Sequence, residues 1–208
     1  DDEKGLPSHH PPTPSPLPMY MSLFVPRQSL FLVETMSLEA LMDQGEKALG
    51  QFNPELALKF FSRALEQSPN DTSILDLLGE TSIHAGLPGE ALAYFLRSSV
   101  LKPDENAYKW LYLGQLQEAE TSLKCFRKGI AMLSATLAAT DDKGITATAE
   151  ATKVRKEIAK AYCSIADIYM TDLCMEVDAE KECEAAVKSA SEHDSESLDL
   201  GLCFLDGG

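Results

Sequence analysis

The chain has few basic residues for its length. Its 208 residues include 18 Lys and Arg against 33 Asp and Glu, which gives a formal net charge of −15. Nucleic-acid phosphates and anionic lipid surfaces repel such a chain, so we expect no direct binding to nucleic acid or membrane. Basic proteins are the expected partners, and the alternative is that the acidity serves only solubility.

Long hydrophobic runs are also missing. Residues 19–35 contain several apolar side chains, but the stretch is short and is interrupted by a proline and by polar residues, so it does not predict a membrane span. Residues 1–18 are rich in proline and contain the pair His9-His10, which we interpret as incidental and not as a metal site. The sequence therefore predicts a disordered, proline-rich N-terminal extension over 1–35.

Catalytic and cofactor motifs are absent as well. The sequence contains no G-x-x-x-x-G-K-[ST], no G-x-G-x-x-G, no H-E-x-x-H and no G-x-S-x-G. Asp76, Glu80 and His84 recur at intervals of four residues, which places them on one side of a helix. No nucleophile and no set of metal ligands accompanies them, so we interpret them as a solvated surface. We predict a protein that is not an enzyme and that needs neither cofactor nor metal.

The five cysteines show no C-x-x-C spacing and no histidine at zinc-ligand distance. Their number is odd, and residues 19–35 lack the basic start and the cleavage site of a secretory signal. We therefore predict reduced thiols in a cytoplasmic and nuclear protein.

What the chain does have is an internal repeat. Pro69 and Pro103 lie 34 residues apart, and the residues before each proline repeat at the same offset: Gly45 and Gly79, Ala57 and Ala91, Phe61 and Phe95. This spacing and this order of small, aromatic and proline residues are typical of the tetratricopeptide repeat, a pair of antiparallel helices. Such repeats more often bind segments of other proteins than catalyse reactions.

Each repeated residue type has a physical reason. A glycine inside a helix costs about 1 kcal/mol relative to alanine, so Gly45 and Gly79 indicate a close approach by the second helix of the hairpin. We expect Ala57 and Ala91 to face these glycines, the phenylalanines to fill the space between hairpins, and the prolines to end the second helices.

Two less regular repeats follow. The third begins near 107 with Trp110, Leu113 and Gly114, and only eight residues separate Gly114 from Ser122 against twelve in the earlier repeats, which predicts a shortened turn. Its second helix is predicted to reach about Ala139. After a loop over 140–146, apolar residues at helical spacing predict two further helices over 147–173 and 177–190. The predicted fold is all-α, an α-solenoid of about four tetratricopeptide hairpins over 36–190, the third and fourth irregular.

The last residues do not continue the pattern. Residues 191–208 are acidic and then briefly apolar, which predicts an irregular tail. Stacked repeats need a terminal helix with a polar outer face, and this stretch does not supply one. We therefore expect a sequence that is truncated or altered at its C-terminus.

The resemblance to tetratricopeptide repeats implies a binding groove. In that family the first helix of each hairpin lines the concave face, and the matching positions here hold Glu39, Met42, Glu46, Asp76, Glu80, His84, Tyr108, Leu111 and Asp167. Carboxylates interleaved with apolar and aromatic side chains suit a basic, partly apolar peptide. The alternative is an ordinary solvated acidic helix face.

The same mapping argues against one common partner. Repeat proteins that hold the acidic C-termini of heat-shock chaperones use Lys, Arg and Asn at groove positions that are here occupied by Met42, Glu46, Leu77, Tyr108 and Tyr112. Glu46 would repel a carboxylate. We therefore expect no binding to a heat-shock chaperone C-terminus.

Over about 38–186 the sequence also resembles a particular fungal family, the dedicated assembly chaperones of large-subunit ribosomal protein L four. The specific similarity lies in YLGQL and in AYCSIADIYMTDLCME, which depart from the generic repeat. The resemblance implies a holdase that captures a disordered basic loop of the new ribosomal protein, prevents its aggregation and accompanies it to nuclear pre-ribosomes. The alternative is a generic tetratricopeptide scaffold for another protein–protein interaction.

Overall fold

The computed structural model describes residues 36–141 and 149–193. Within these ranges the chain forms eight α-helices and no strand: α1 Leu38–Gly50, α2 Pro54–Gln67, α3 Thr72–His84, α4 Pro88–Leu101, α5 Ala107–Leu116, α6 Ala119–Asp141, α7 Ala149–Met170 and α8 Ala179–His193. The predicted extension over 1–35 and most of the predicted loop and tail lie outside the described residues. None of the described helices combines the length and the apolarity that a membrane span requires.

Local sequence signals set where most helices begin. The side chains of three polar residues each accept a backbone N–H of the first turn of the following helix, which is the usual N-cap arrangement: Ser37, Asn53 and Asp71. Pro54 and Pro88 stand at the start of α2 and α4, where the missing N–H of proline has no helical partner to lose.

The repeated prolines mark where the second helices end. Helix α2 ends at Gln67 and α4 at Leu101, each two residues before Pro69 or Pro103. Proline disfavours helical geometry at the residue that precedes it. The predicted ends of both helices are confirmed.

The helices pack in chain order. Each one makes its main contacts with the helix before it and the helix after it, and the hairpins α1–α2, α3–α4, α5–α6 and α7–α8 follow one another along Ser37–His193. This arrangement is an α-solenoid, as the sequence predicts.

The repeated glycines receive the rings of the repeated phenylalanines. A Cβ atom on Gly79 would lie 2.6 Å from Cε1 of Phe95, and a Cβ atom on Gly45 would likewise overlap the ring of Phe61. Both rings are fully buried. The nearest atoms to both Cβ positions belong to the rings, so the phenylalanines make the close approach that the glycines permit, and the facing position of Ala57 and Ala91 stays a prediction.

The third repeat uses the same contact with a shorter helix. A Cβ atom on Gly114 would lie 2.8 Å from the ring of Phe126. Helix α5 has 10 residues, whereas α1 and α3 have 13, and the turn before α6 spans two residues against three in the earlier hairpins. The shorter spacing between Gly114 and Ser122 therefore comes mainly from the shorter helix α5 and only to a small extent from a shorter turn, so the prediction of a shortened turn is partly right.

The last two hairpins contain much longer helices. Helix α6 has 23 residues and α7 has 22, against 14 in α2 and α4. Helix α6 thus continues two residues beyond the predicted Ala139. Helix α8 continues to His193, past the predicted boundary at 190, because Ala190 is fully buried and His193 stacks on Tyr162 with ring centroids 6.0 Å apart.

Candidate functional site

A buried carboxylate on α3 lies at the centre of the candidate site. Asp76 is only 6% exposed, and its Oδ2 accepts a hydrogen bond of 2.7 Å from Nδ2 of Asn106. Its other oxygen, Oδ1, has no hydrogen-bond partner among the described residues. This oxygen is closed off from solvent, and leaving such an acceptor unpaired costs about 1–3 kcal/mol, so Asp76 acts on the site through its charge and not through a direct bond to a ligand.

Asn106 connects α3 to the beginning of α5. Its Oδ1 accepts from the backbone N–H of Tyr108, and its φ of 49° lies in the left-handed region that asparagine tolerates better than most residues. One side chain thus caps α5 and donates to Asp76. This linkage fixes the position of the tyrosines of α5 relative to the carboxylates of α3.

Two tyrosines of α5 are half-buried beside these carboxylates. Tyr112 stacks on Phe95 with ring centroids 5.1 Å apart and planes 9° apart, which fixes its ring against the core. Burial raises the pKa of Tyr112, and the charges of Glu80 and Glu157 raise it further. The pKa of Tyr108 is raised by burial and by the charges of Glu150 and Glu157.

These effects show that α7 also faces the tyrosines. Its residues Glu150, Lys153 and Glu157 recur at intervals of three and four, so they share one side of the helix. Three alternate helices, α3, α5 and α7, thus bring one set of side chains together. We call this set the acidic face, and its members are Asp76, Glu80, Tyr108, Tyr112, Glu150 and Glu157.

The pKa of Glu80 is raised at this site. Burial raises its pKa, the charge of Asp76 raises it further, and the charges of His84 and Lys153 partly oppose the rise. The ionised form of Glu80 is therefore less stable here than in water. A cation placed beside Glu80 and Asp76 would relieve this repulsion.

Only some of the predicted groove residues lie close to one another in the structure. It brings Asp76, Glu80, His84 and Tyr108 together. On α1, Glu39 and Glu46 are exposed and Met42 is half-buried, and their part in binding stays a prediction.

Two predicted groove residues lie elsewhere. Leu111 is only 6% exposed and belongs to the apolar core, where it packs against the backbone of Gly129, so its assignment to the groove is wrong. Asp167 is exposed, and its charge adds to burial in raising the pKa of Cys163 and of Cys183, which places it beside α8. Its part in binding stays a prediction.

The sequence prediction missed three members of the acidic face, on α5 and α7, and the nearby Lys153: the three are Tyr112, Glu150 and Glu157. The 34-residue offset does not extend to α7, so the repeat register could not assign its inward side. The available signal was the spacing of its charged residues at intervals of three and four, which places them on one side of the helix.

The thiols and the possible metal ligands do not form a second site. Cys125 is buried, Cys163 and Cys183 are half-buried and Cys174 is exposed, and all four are free. Burial raises the pKa of the first three. Over 36–141 and 149–193 no group of three or more His, Cys, Asp or Glu side chains has the arrangement of a metal site.

Known proteins resemble the chain in sequence and in fold, although no protein-family model matches it. A curated protein of Schizosaccharomyces pombe (strain 972), described as a probable assembly chaperone of rpl4, is 36% identical over 145 residues, which are 67% of this chain and 41% of that protein. A solved structure of residues 1–338 of the assembly chaperone of RpL4 (Acl4) superposes with a TM-score of 0.70 at 25% identity, covering 77% of this chain and 64% of that one. The chain thus spans about two fifths of the curated relative. The chain is a member, over this shared region, of the family of assembly chaperones of RpL4.

Proposed function

We propose that this chain is a dedicated chaperone of the holdase type for ribosomal protein L4. It binds a basic, extended segment of the newly made protein on the acidic face and keeps that segment from aggregating. One observation carries the proposal: three helices place four carboxylates around two tyrosines in a chain of net charge −15. The relatives named as assembly chaperones of RpL4 support the choice of client.

The chemistry of the acidic face suits Arg and Lys side chains. Burial and, secondly, the charge of Asp76 raise the pKa of Glu80, and a cation beside it stabilises the ionised form against both effects. A charge-assisted hydrogen bond from a basic side chain to one of the half-buried carboxylates, Glu80 or Glu157, contributes about 1.5–3 kcal/mol. A guanidinium over Tyr108 or Tyr112 adds about 0.5–2 kcal/mol through its attraction to the ring.

Release of the client needs no nucleotide chemistry under this proposal. Ribosomal RNA carries a far higher density of negative charge than the acidic face, so its phosphates compete for the same basic side chains. Binding and release are then equilibrium steps, and the chain acts as a binding protein and not as a catalyst. Such a chaperone works in the cytoplasm, where its client is made, and in the nucleus, where large subunits assemble.

The test compares two double charge reversals in the full chain, measured by binding to purified ribosomal protein L4. The first variant, Glu80→Lys with Glu157→Lys, inverts the acidic face. The matched control, Glu55→Lys with Glu90→Lys, makes the same change in net charge at exposed positions on the second helices α2 and α4. We expect the first variant to lose at least about tenfold in affinity and the control to lose much less, since separated surface charges are largely screened.

Two results would contradict the proposal. Equal losses in both variants would mean that overall acidity, and not the acidic face, attracts the client. Equal affinity for L4 and for other ribosomal proteins of similar charge would favour the generic scaffold, because a dedicated chaperone discriminates among basic proteins. Added ribosomal RNA should displace L4, and an unchanged complex would refute release by competition.

A further inference from the structure

A cavity lies where the long helices α6 and α7 meet the beginning of α5. It has a volume of about 510 Å³ and lies between the beginning of α5, the second half of α6 and the beginning of α7. Its walls are mainly apolar, with contributions from Met132, Leu133, Leu137, Ala151 and Val154. Clefts of about 300–1,000 Å³ with apolar walls are typical of ligand sites.

The cavity opens beside the acidic face. Tyr108 and Glu150 belong to both, and Asn106, which lines the cavity, donates to the buried Asp76. Asp104, which pairs with Nζ of Lys128 at 3.3 Å, also lines the cavity. An occupant therefore meets apolar walls inside and negative charge around the opening.

We propose that this cavity receives one large apolar side chain, aromatic or aliphatic, from the same basic segment that binds the acidic face. The inference rests on the proposed function and adds a sequence requirement to it: an apolar residue flanked by Arg or Lys. The charge of the opening selects this occupant, because an acidic or neutral segment would desolvate Glu150 without compensating its charge. The apolar anchor supplies binding that salt does not screen, and it distinguishes one basic client from another.

The test uses two fluorescein-labelled peptides of Arg, Lys, Gly and Ser that are identical except for one central position, which is Phe in the first and Ser in the second. Fluorescence anisotropy measures their binding to the full chain at low ionic strength. Burying the phenyl ring should make the first peptide bind roughly tenfold to a hundredfold more tightly.

A pair of variants locates the effect. Ala135 is exposed and lines the cavity, so Ala135→Trp places an indole in it. This variant should bind the Phe peptide and the Ser peptide with similar affinity. Ala131, one turn earlier on α6, is also exposed but is not part of the lining, so Ala131→Trp should keep the preference for the Phe peptide. Circular dichroism verifies that both variants remain helical.

Each other outcome has a definite meaning. If both peptides bind the unmodified chain equally and salt weakens both, the cavity is not used and the inference fails, while the proposed function stands. If neither peptide binds, the acidic face fails and the inference fails with it. If Ala131→Trp abolishes the preference as fully as Ala135→Trp, the loss does not come from filling the cavity, and the inference is overturned.

Discussion

The contact between Gly79 and Phe95 gives the sharpest prediction about stability. The substitution Gly79→Ala adds a Cβ atom whose three nearest neighbours, all atoms of the Phe95 ring, lie at 2.6 to 2.8 Å. The ring is fully buried and is held on its other side by Tyr112, so it cannot move away without disturbing the core. Overpacking of this kind costs about 1–3 kcal/mol, and we take the upper end because the ring is confined.

A second effect opposes the clash. Alanine is favoured over glycine inside a helix by about 1 kcal/mol. The expected net loss is therefore about 2 kcal/mol of unfolding free energy, or about 4–8 °C in melting temperature for a domain of this size. Urea unfolding followed by far-UV circular dichroism measures it.

Two further variants separate the clash from other causes. Gly89 lies in α4 with open space around its Cβ position, so Gly89→Ala should be neutral or stabilising. In a Phe95→Leu background, Gly79→Ala should cost much less than in the unmodified chain, because the smaller side chain leaves room for a methyl group. If Gly79→Ala is as harmless as Gly89→Ala, the reasoning that the glycine exists to admit the ring is refuted.

Two more predictions concern the buried charges. Glu80→Gln should raise stability at neutral pH while weakening client binding. The pKa of Glu80 is raised in the folded state, so the stability of the unmodified chain falls as pH rises from the ordinary glutamate pKa through that raised value. The advantage of the variant should therefore vanish in acid. A pH series of urea unfolding curves tests this, and an advantage that persists in acid would contradict it. The side chain of Lys109 is fully buried, and its Nζ donates to the carbonyl oxygens of Ser98 and Lys102 at 3.4 and 2.5 Å. Lys109→Met removes these charge-assisted hydrogen bonds at the end of α4 and should cost about 1–3 kcal/mol. Thermal unfolding measures the loss, and an unchanged melting temperature would show that these hydrogen bonds do not stabilise the fold.

Much of the fold was predictable because its signals are local. Asn53 and Asp71 cap helices within three residues of themselves, and Pro69 ends a helix through its own geometry, so each can be interpreted without knowledge of the rest of the chain. The 34-residue offset between Gly45 and Gly79 then predicts that hairpins stack. These features determine the α-solenoid and the class of function.

The candidate site was only partly predictable because its members come from three helices that are distant in sequence. Leu111 occupies a position that faces the groove in regular repeats, yet here Gly129 leaves space for it in the core. Glu157 is missing from the predicted set because the register of α7 is not that of the repeat. Which side of such a helix faces its neighbours is decided by packing and not by a local pattern.

The sequence by itself determined the repeat, the helix ends, the acidic character and the resemblance to a family of chaperones, since all of these depend on residue types and short spacings. Only the tertiary structure decided which carboxylates meet. It buried Asp76 with one oxygen unpaired, stacked Tyr112 of the acidic face on Phe95, and opened a cavity beside Tyr108. The physical reason is that charge repulsion, ring stacking and cavity shape depend on distances between helices, and those distances result from the packing of side chains far apart in the chain.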